Sequence, residues 1–114
     1  MTAGVACAAA LLLASACARP PAPLVSVCKE PTAAGTRLML IGVPGTRINA
    51  RLAPSLERRD GSVLRFAGGR VTPDSSYFVA PPTLDVIGDP AGIIRASVCP
   101  SHESVCRRVE VTVR

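Results

Sequence analysis

The clearest alternation of apolar and polar positions lies at residues 93–114. Ile93–Cys99 and Val105–Arg114 read as two β-strands joined by a short loop. With Cys99 set opposite Cys106 on antiparallel strands, every other cross-strand pair follows. Ile94 faces Val111, Ala96 faces Val109, Arg95 meets Glu110 and Ile93 meets Thr112. Side chains alternate between the faces of a strand, so Ile94, Ala96, Val98, Val109, Val111 and Val113 share one face and both cysteines take the other. Opposed residues have Cα atoms about 4.5–5.5 Å apart, inside the disulfide range of about 4.4–6.8 Å. The register therefore predicts an apolar inner face and a bridgeable cysteine pair on the solvated side.

Upstream, Arg37–Val43 is a continuous apolar run of the kind found in strands buried on both faces. Val43-Pro44-Gly45-Thr46 has the Pro-Gly centre of a type II turn. Arg47–Leu52 then alternates, with Ile48, Ala50 and Leu52 expected inside and Arg47, Asn49 and Arg51 outside. Residues 37–52 read as a hairpin closed by Pro54, an edge residue. Asp60-Gly61 between Leu56–Arg59 and Ser62–Phe66 is a second hairpin signal. Gly68-Gly69 and Pro73-Asp74 interrupt the pattern. Tyr77–Ala80 and Thr83–Ile87 are short strand candidates parted by Pro81-Pro82. Gly88–Gly92 is a turn into the last hairpin. No stretch sustains a 3.6-residue period. The pattern predicts an all-β fold, a small immunoglobulin-like β-sandwich over residues 35–114.

The first residues belong to another regime. Residues 3–16 are uncharged and almost wholly apolar, too short for a membrane span of about 20 residues but suited to a signal-peptide core. Leu13-Ala14-Ser15-Ala16-Cys17 resembles the lipobox of bacterial lipoprotein precursors. That resemblance implies a signal peptide over 1–16, cleavage after Ala16 and acylation of Cys17. Ala14 stands where that family prefers leucine, and no Lys or Arg precedes the apolar run, which points to a start upstream. The alternative is a plain secretory peptide cleaved after Ala16 or Ala18, with Cys17 incidental. Arg19–Pro31 holds four prolines, and residues 17–34 read as an extended tether. Both alternatives place the mature chain in the cell envelope, facing the periplasm or exterior, where disulfides persist. A lipid anchor makes the membrane itself the first expected partner.

Composition narrows the remaining choices. Phe66, Tyr77 and Phe78 are the only aromatic residues among 114, so the core must be aliphatic and thin, and a covalent staple would help it. The net charge of +5 lies wholly beyond residue 18, and twelve of the thirteen basic residues are arginine. An acidic partner or an anionic surface would suit that charge, and the codon bias of a GC-rich genome would equally account for it. Nucleic acid is not expected, because no aromatic residues are interleaved with the arginines as a stacking platform requires. Asp60, Asp74, Asp85 and Asp89 all sit in or beside turns, where Asp serves turn geometry. Ser75-Ser76 and Gly68-Gly69 lack the settings of a nucleophile elbow or a phosphate loop. No catalytic residue and no cofactor is expected.

Three uses of Cys99 and Cys106 stay open. The first is a structural staple closing a short loop. The second is thiol–disulfide exchange, favoured by His102, Arg107 and Arg108 nearby and by a position on the wet face. The run IIRASVCPSHESVCRRVEVTV resembles the end of immunoglobulin-like domains related to the periplasmic N-terminal domain of the DsbD thiol reductase. That resemblance implies a redox pair, with Cys106 the more nucleophilic member and a thiol-redox protein as partner. The spacing here is one residue longer than usual in that family, and no aromatic-rich cap loop is present. The third is Cu(I) or Zn binding by Cys99, His102 and Cys106, with Met39 or Cys28 as a fourth ligand. Cys28 itself is open to being free, to pairing between molecules, or to bridging Cys99 or Cys106.

Overall fold

The computed structural model describes residues 22–114. The signal segment 1–16, Cys17 and the first part of the expected tether lie outside the described residues. Eight strands form two antiparallel sheets: β1 (Val25–Pro31), β2 (Gly35–Gly42), β3 (Thr46–Ile48), β4 (Ser55–Arg58), β5 (Val63–Arg65), β6 (Thr83–Ile87), β7 (Gly92–Pro100) and β8 (Arg107–Val113). One sheet runs β1-β2-β6. The other is built on β7, which has β8 along one edge and both β4 and β3 along the other, with β5 outside β4. The fold is a small β-sandwich, as the alternation pattern indicates.

Its core is aliphatic. Leu38 and Leu40 of β2, Val25 of β1 and Val86 of β6 meet Ile48, Leu56, Ile94, Ala96, Val98 and Val113 from the opposite sheet, with Phe66 the one buried aromatic ring. β7 is the central strand because Ile94, Ala96 and Val98 supply three consecutive inward positions, while Ile93, Arg95 and Ser97 point out and stay half-exposed. Gly92, where β7 begins, lies so close to the Glu57 carbonyl that a Cβ there would collide with backbone. The absent side chain lets β4 pair with the start of β7.

The β7–β8 register matches the one read from the alternation: Ile94 opposes Val111, Ala96 opposes Val109, Arg95 opposes Glu110 and Ile93 opposes Thr112. The Asp60-Gly61 hairpin is also present. Gly61 takes φ +89°, and Asp60 accepts the Ser62 amide proton at 2.9 Å. β4 and β5 flank it in antiparallel register.

Three expectations are corrected. Val25–Pro31 is not tether but a full edge strand, paired from Val25↔Gly42 to Pro31↔Thr36. Proline there does no harm, since Pro31 ends the strand on an edge. The sandwich therefore includes Val25–Pro31, upstream of residue 35.

The 37–52 segment is not a hairpin. The Pro44-Gly45 turn forms, with Gly45 at φ +84° and the Thr46 amide donating to the Val43 carbonyl at 3.0 Å. Yet β1 and β6 already occupy the two edges of β2, so the chain leaves that sheet and β3 joins β7 in the other.

The alternation beyond Ile48 does not persist as strand. The Asn49 side-chain oxygen accepts the amides of Arg51 and Leu52 at 2.8 and 3.1 Å, closing a turn that leaves Leu52 66% exposed. Tyr77 and Phe78 likewise make only isolated bridges, to Asn49 and Val71, before Pro81-Pro82.

The two ends of the sandwich differ. At one end lie the start of β1, the 43–46 turn and the 101–106 loop, tied together where the Ser101 amide donates to the Gly45 carbonyl at 2.7 Å. At the other end lie the 32–34, 59–62 and 88–91 turns and Arg114, whose carbonyl accepts from Lys29 Nζ at 2.7 Å. Among the described residues the outer edges of β1 and β8 carry no paired strand. Lys29, Arg107, Arg108 and Glu110 on those edges discourage pairing with other chains.

Candidate functional site

Cys99 and Cys106 form a disulfide, with an S–S distance of 2.06 Å and Cα atoms 4.1 Å apart. Cys99 stands one residue inside the end of β7, and Cys106 immediately precedes β8, so the bond closes the hairpin just beyond its last ladder pair, Val98↔Arg107. The two sulfurs are not equally wet. Cys106 is exposed, but Cys99 is only 8% exposed.

The expectation that both cysteines face solvent is therefore half right, and β3 supplies the reason. Arg47 of β3 lies opposite Cys99 on the edge of β7 away from Cys106, so Cys99 is the middle member of a row Arg47–Cys99–Cys106. Arg47 is itself held, with its guanidinium 3.9 Å from the centroid of the Tyr77 ring. The alternation could not show this, because it placed β3 in a hairpin with β2.

The loop between the cysteines is organised by charge. Glu103 accepts hydrogen bonds from Arg107, and His102 Nε2 lies 3.5 Å from a Glu103 oxygen. The His102 side chain is mostly exposed. A metal at Cys99, His102 and Cys106 would require the Cys99–Cys106 bond to be reduced. Cys99 and Cys106 spend their thiolates on each other, and Met39 and Cys28 oppose one another in the β1–β2 ladder of the other sheet. Among the described residues no three His, Cys, Asp or Glu side chains are grouped to hold a metal ion. Cys28, buried in β1, is also disulfide-bonded, and its bond is not to Cys99 or Cys106.

The outer face of the larger sheet carries a charged row. Arg95 reaches Glu110 at 3.0 Å, as the register predicts, and also Glu57 of β4 at 2.6 Å. The second contact was hidden because the sequence does not reveal which strand flanks β7. Asp60, Asp74 and Asp89 each accept the amide two residues on, at Ser62, Ser76 and Ala91. Asp85 pairs with Arg37 at 2.7 Å. These carboxylates shape turns and ladders and converge on no common point.

Their titration has a definite sign. Hydrogen bonds hold four carboxyls below their ordinary values: Asp60 by Ser62, Asp74 by Thr72 and Ser76, Asp85 by Arg37 and Glu103 by Arg107. The unfolded chain then takes up protons first as pH falls. The stabilisation is complete above the unfolded values of 3.8 for Asp and 4.5 for Glu, and is lost progressively below them. Thermal melts should show the melting temperature declining from about pH 4.5 downward, gently, because Asp60, Asp74 and Asp85 are exposed and Glu103 is only half-buried. A melting temperature that climbs on acidification through that range would contradict this account.

A second feature is a groove of about 600 Å³ between the two open sheet edges, lined by Leu24, Val25 and Val27 on one side and Val109 and Val111 on the other. Taken together, fold and site define a disulfide-closed all-β domain. No protein-family model, curated protein or solved structure matches the chain.

Proposed function

We propose that the chain is a small envelope lipoprotein, anchored to a membrane by acylated Cys17, whose β-sandwich acts as a binding or structural module. The observation that carries the module reading is the seat of the disulfide. Cys99 is packed between Arg47 and Cys106 at the end of the central strand, where a cross-link fastens β8 to an aliphatic core with one buried ring. That is the placement of a staple. The anchor reading is supported by the Leu13–Cys17 motif and its apolar run.

Two measurements test the proposal. Cells fed labelled palmitate should label the wild-type chain and not Cys17→Ala, and the variant should leave the membrane fraction. Cys28 offers a competing fate for the same sulfur, since a Cys17 thiol bonded to it could not carry a lipid. Intact mass decides, because acyl mass survives reduction and a disulfide does not. For the Cys99–Cys106 bond, a potential below about −300 mV marks a staple, while a value near −200 mV or above marks exchange.

Exchange with a partner dithiol is the second reading, and the exposure of Cys106 is what favours it. An incoming thiolate would bond to Cys106 Sγ while the Sγ–Sγ bond breaks, its electron pair leaving on Cys99 beside Arg47. The partner's second thiol would then displace Cys106, leaving the pair reduced and the partner oxidised.

A further inference from the structure

We infer that the end of the sandwich bearing the disulfide loop rests on an anionic phospholipid surface. The inference builds on the lipid-anchor reading and adds to it an orientation and a contact surface. Its basis is the correction at β1. With β1 starting at Val25, only residues 18–24 separate Cys17 from the folded domain. Eight backbone steps span at most about 26–29 Å, whatever their conformation.

The strands of the sandwich are as long as that. β7 has nine residues, or about 27 Å between its ends. β1 starts at the same end as the 43–46 turn and the 101–106 loop. To bring the opposite end to the lipid, the leash would have to run the full length of the strands and then clear the turns beyond them. The leash is too short for that, which excludes the opposite end, and the side chains exposed at the attached end single it out over the flanks.

The side chains at that end suit lipid headgroups. Val105 is 65% exposed at the loop tip, and Val43 in the adjoining turn is also exposed. Arg47 and Arg107 stand at the strand ends beside them, Arg107 paired with Glu103, the single carboxylate in the loop. Small apolar tips beside arginine favour an anionic interface over a neutral one.

The chain has no tryptophan, which makes the test direct. Val43→Trp, Val105→Trp and Ser62→Trp place one indole at the near end twice and at the far end once. Mature acylated chains would be reconstituted into vesicles of phosphatidylcholine with or without phosphatidylglycerol, some carrying brominated acyl chains. The expected result is blue-shifted emission and strong quenching for Val43→Trp and Val105→Trp on anionic vesicles, weaker on neutral ones, with Ser62→Trp unchanged. Chains that float with the vesicles but show equal quenching at all three positions, or none, overturn the contact surface and leave the anchor standing. Quenching that ignores phosphatidylglycerol overturns the anionic assignment. Mature chains that carry no acyl group and fail to float overturn the anchor and this inference together.

Discussion

Ile94→Ala should cost about 3–4 kcal/mol of folding free energy, within the span seen when a large aliphatic side chain is cut back in a packed core. Ile94 is fully buried at the middle of β7, with Leu56 of β4 on one side and Val111 of β8 on the other. Leu56 and Ile94 belong to the buried core cluster and Val111 packs against it, so the site cannot collapse without moving two strands at once. Ile93 is the internal control. It sits one residue earlier on the outer face and is half-exposed, so Ile93→Ala should cost well under half as much. Urea titrations of the two variants measure the difference through their midpoints, provided the slopes stay equal. Similar losses at the two positions would mean that the inward and outward faces of β7 have been assigned wrongly.

The joint replacement Cys99→Ala/Cys106→Ala should cost about 2.5 kcal/mol, the value expected for releasing a loop of this length in the unfolded chain. The two cysteines are separated by seven positions. For a domain of this size the melting temperature should fall by roughly 10–20 °C. Reducing the wild-type protein should reproduce most of that drop. Among the described residues β8 pairs along one edge only, with β7, so the loss should begin there. Amide exchange at Arg107–Val109 should accelerate before exchange in β2 does. If the melting temperature is unmoved while reactivity toward a dithiol vanishes, the bond serves chemistry and not stability.

The final hairpin was legible because three independent signals agree on one register: the valine alternation, the Arg95–Glu110 pair and the cysteine spacing. The Asp60-Gly61 hairpin was legible because a tight hairpin loop needs a residue in the left-handed region, and Gly61 takes it. What could not be read was the identity of neighbours. Gly45 and Pro44 specify a turn, but a turn does not state whether the next strand returns to β2 or crosses to β7. That choice depends on β1 and β6 having already taken β2, and both contacts are distant in sequence.

The same gap concealed the burial of Cys99. Its outward position was read correctly, but Arg47 could be placed beside it only once β3 was known to flank β7. β1 was missed for a different reason. Proline density reads as tether, yet Pro31 merely closes the strand, and Val25, Val27 and Cys28 behind it carry the strand pattern. The prolines at 20, 21 and 23 lie before it.

Assigning Val25–Pro31 to the sandwich also changes where the protein can safely be cut. A recombinant version begun at residue 32 or 35 would look complete by its proline content. It would instead strip the outermost rib from β2 and bare the ladder groups of Thr36–Gly42. An uncovered ladder of that length is an invitation to stack with its own kind, so such a version should come out of cells as aggregate, for want of seven residues that resemble a linker.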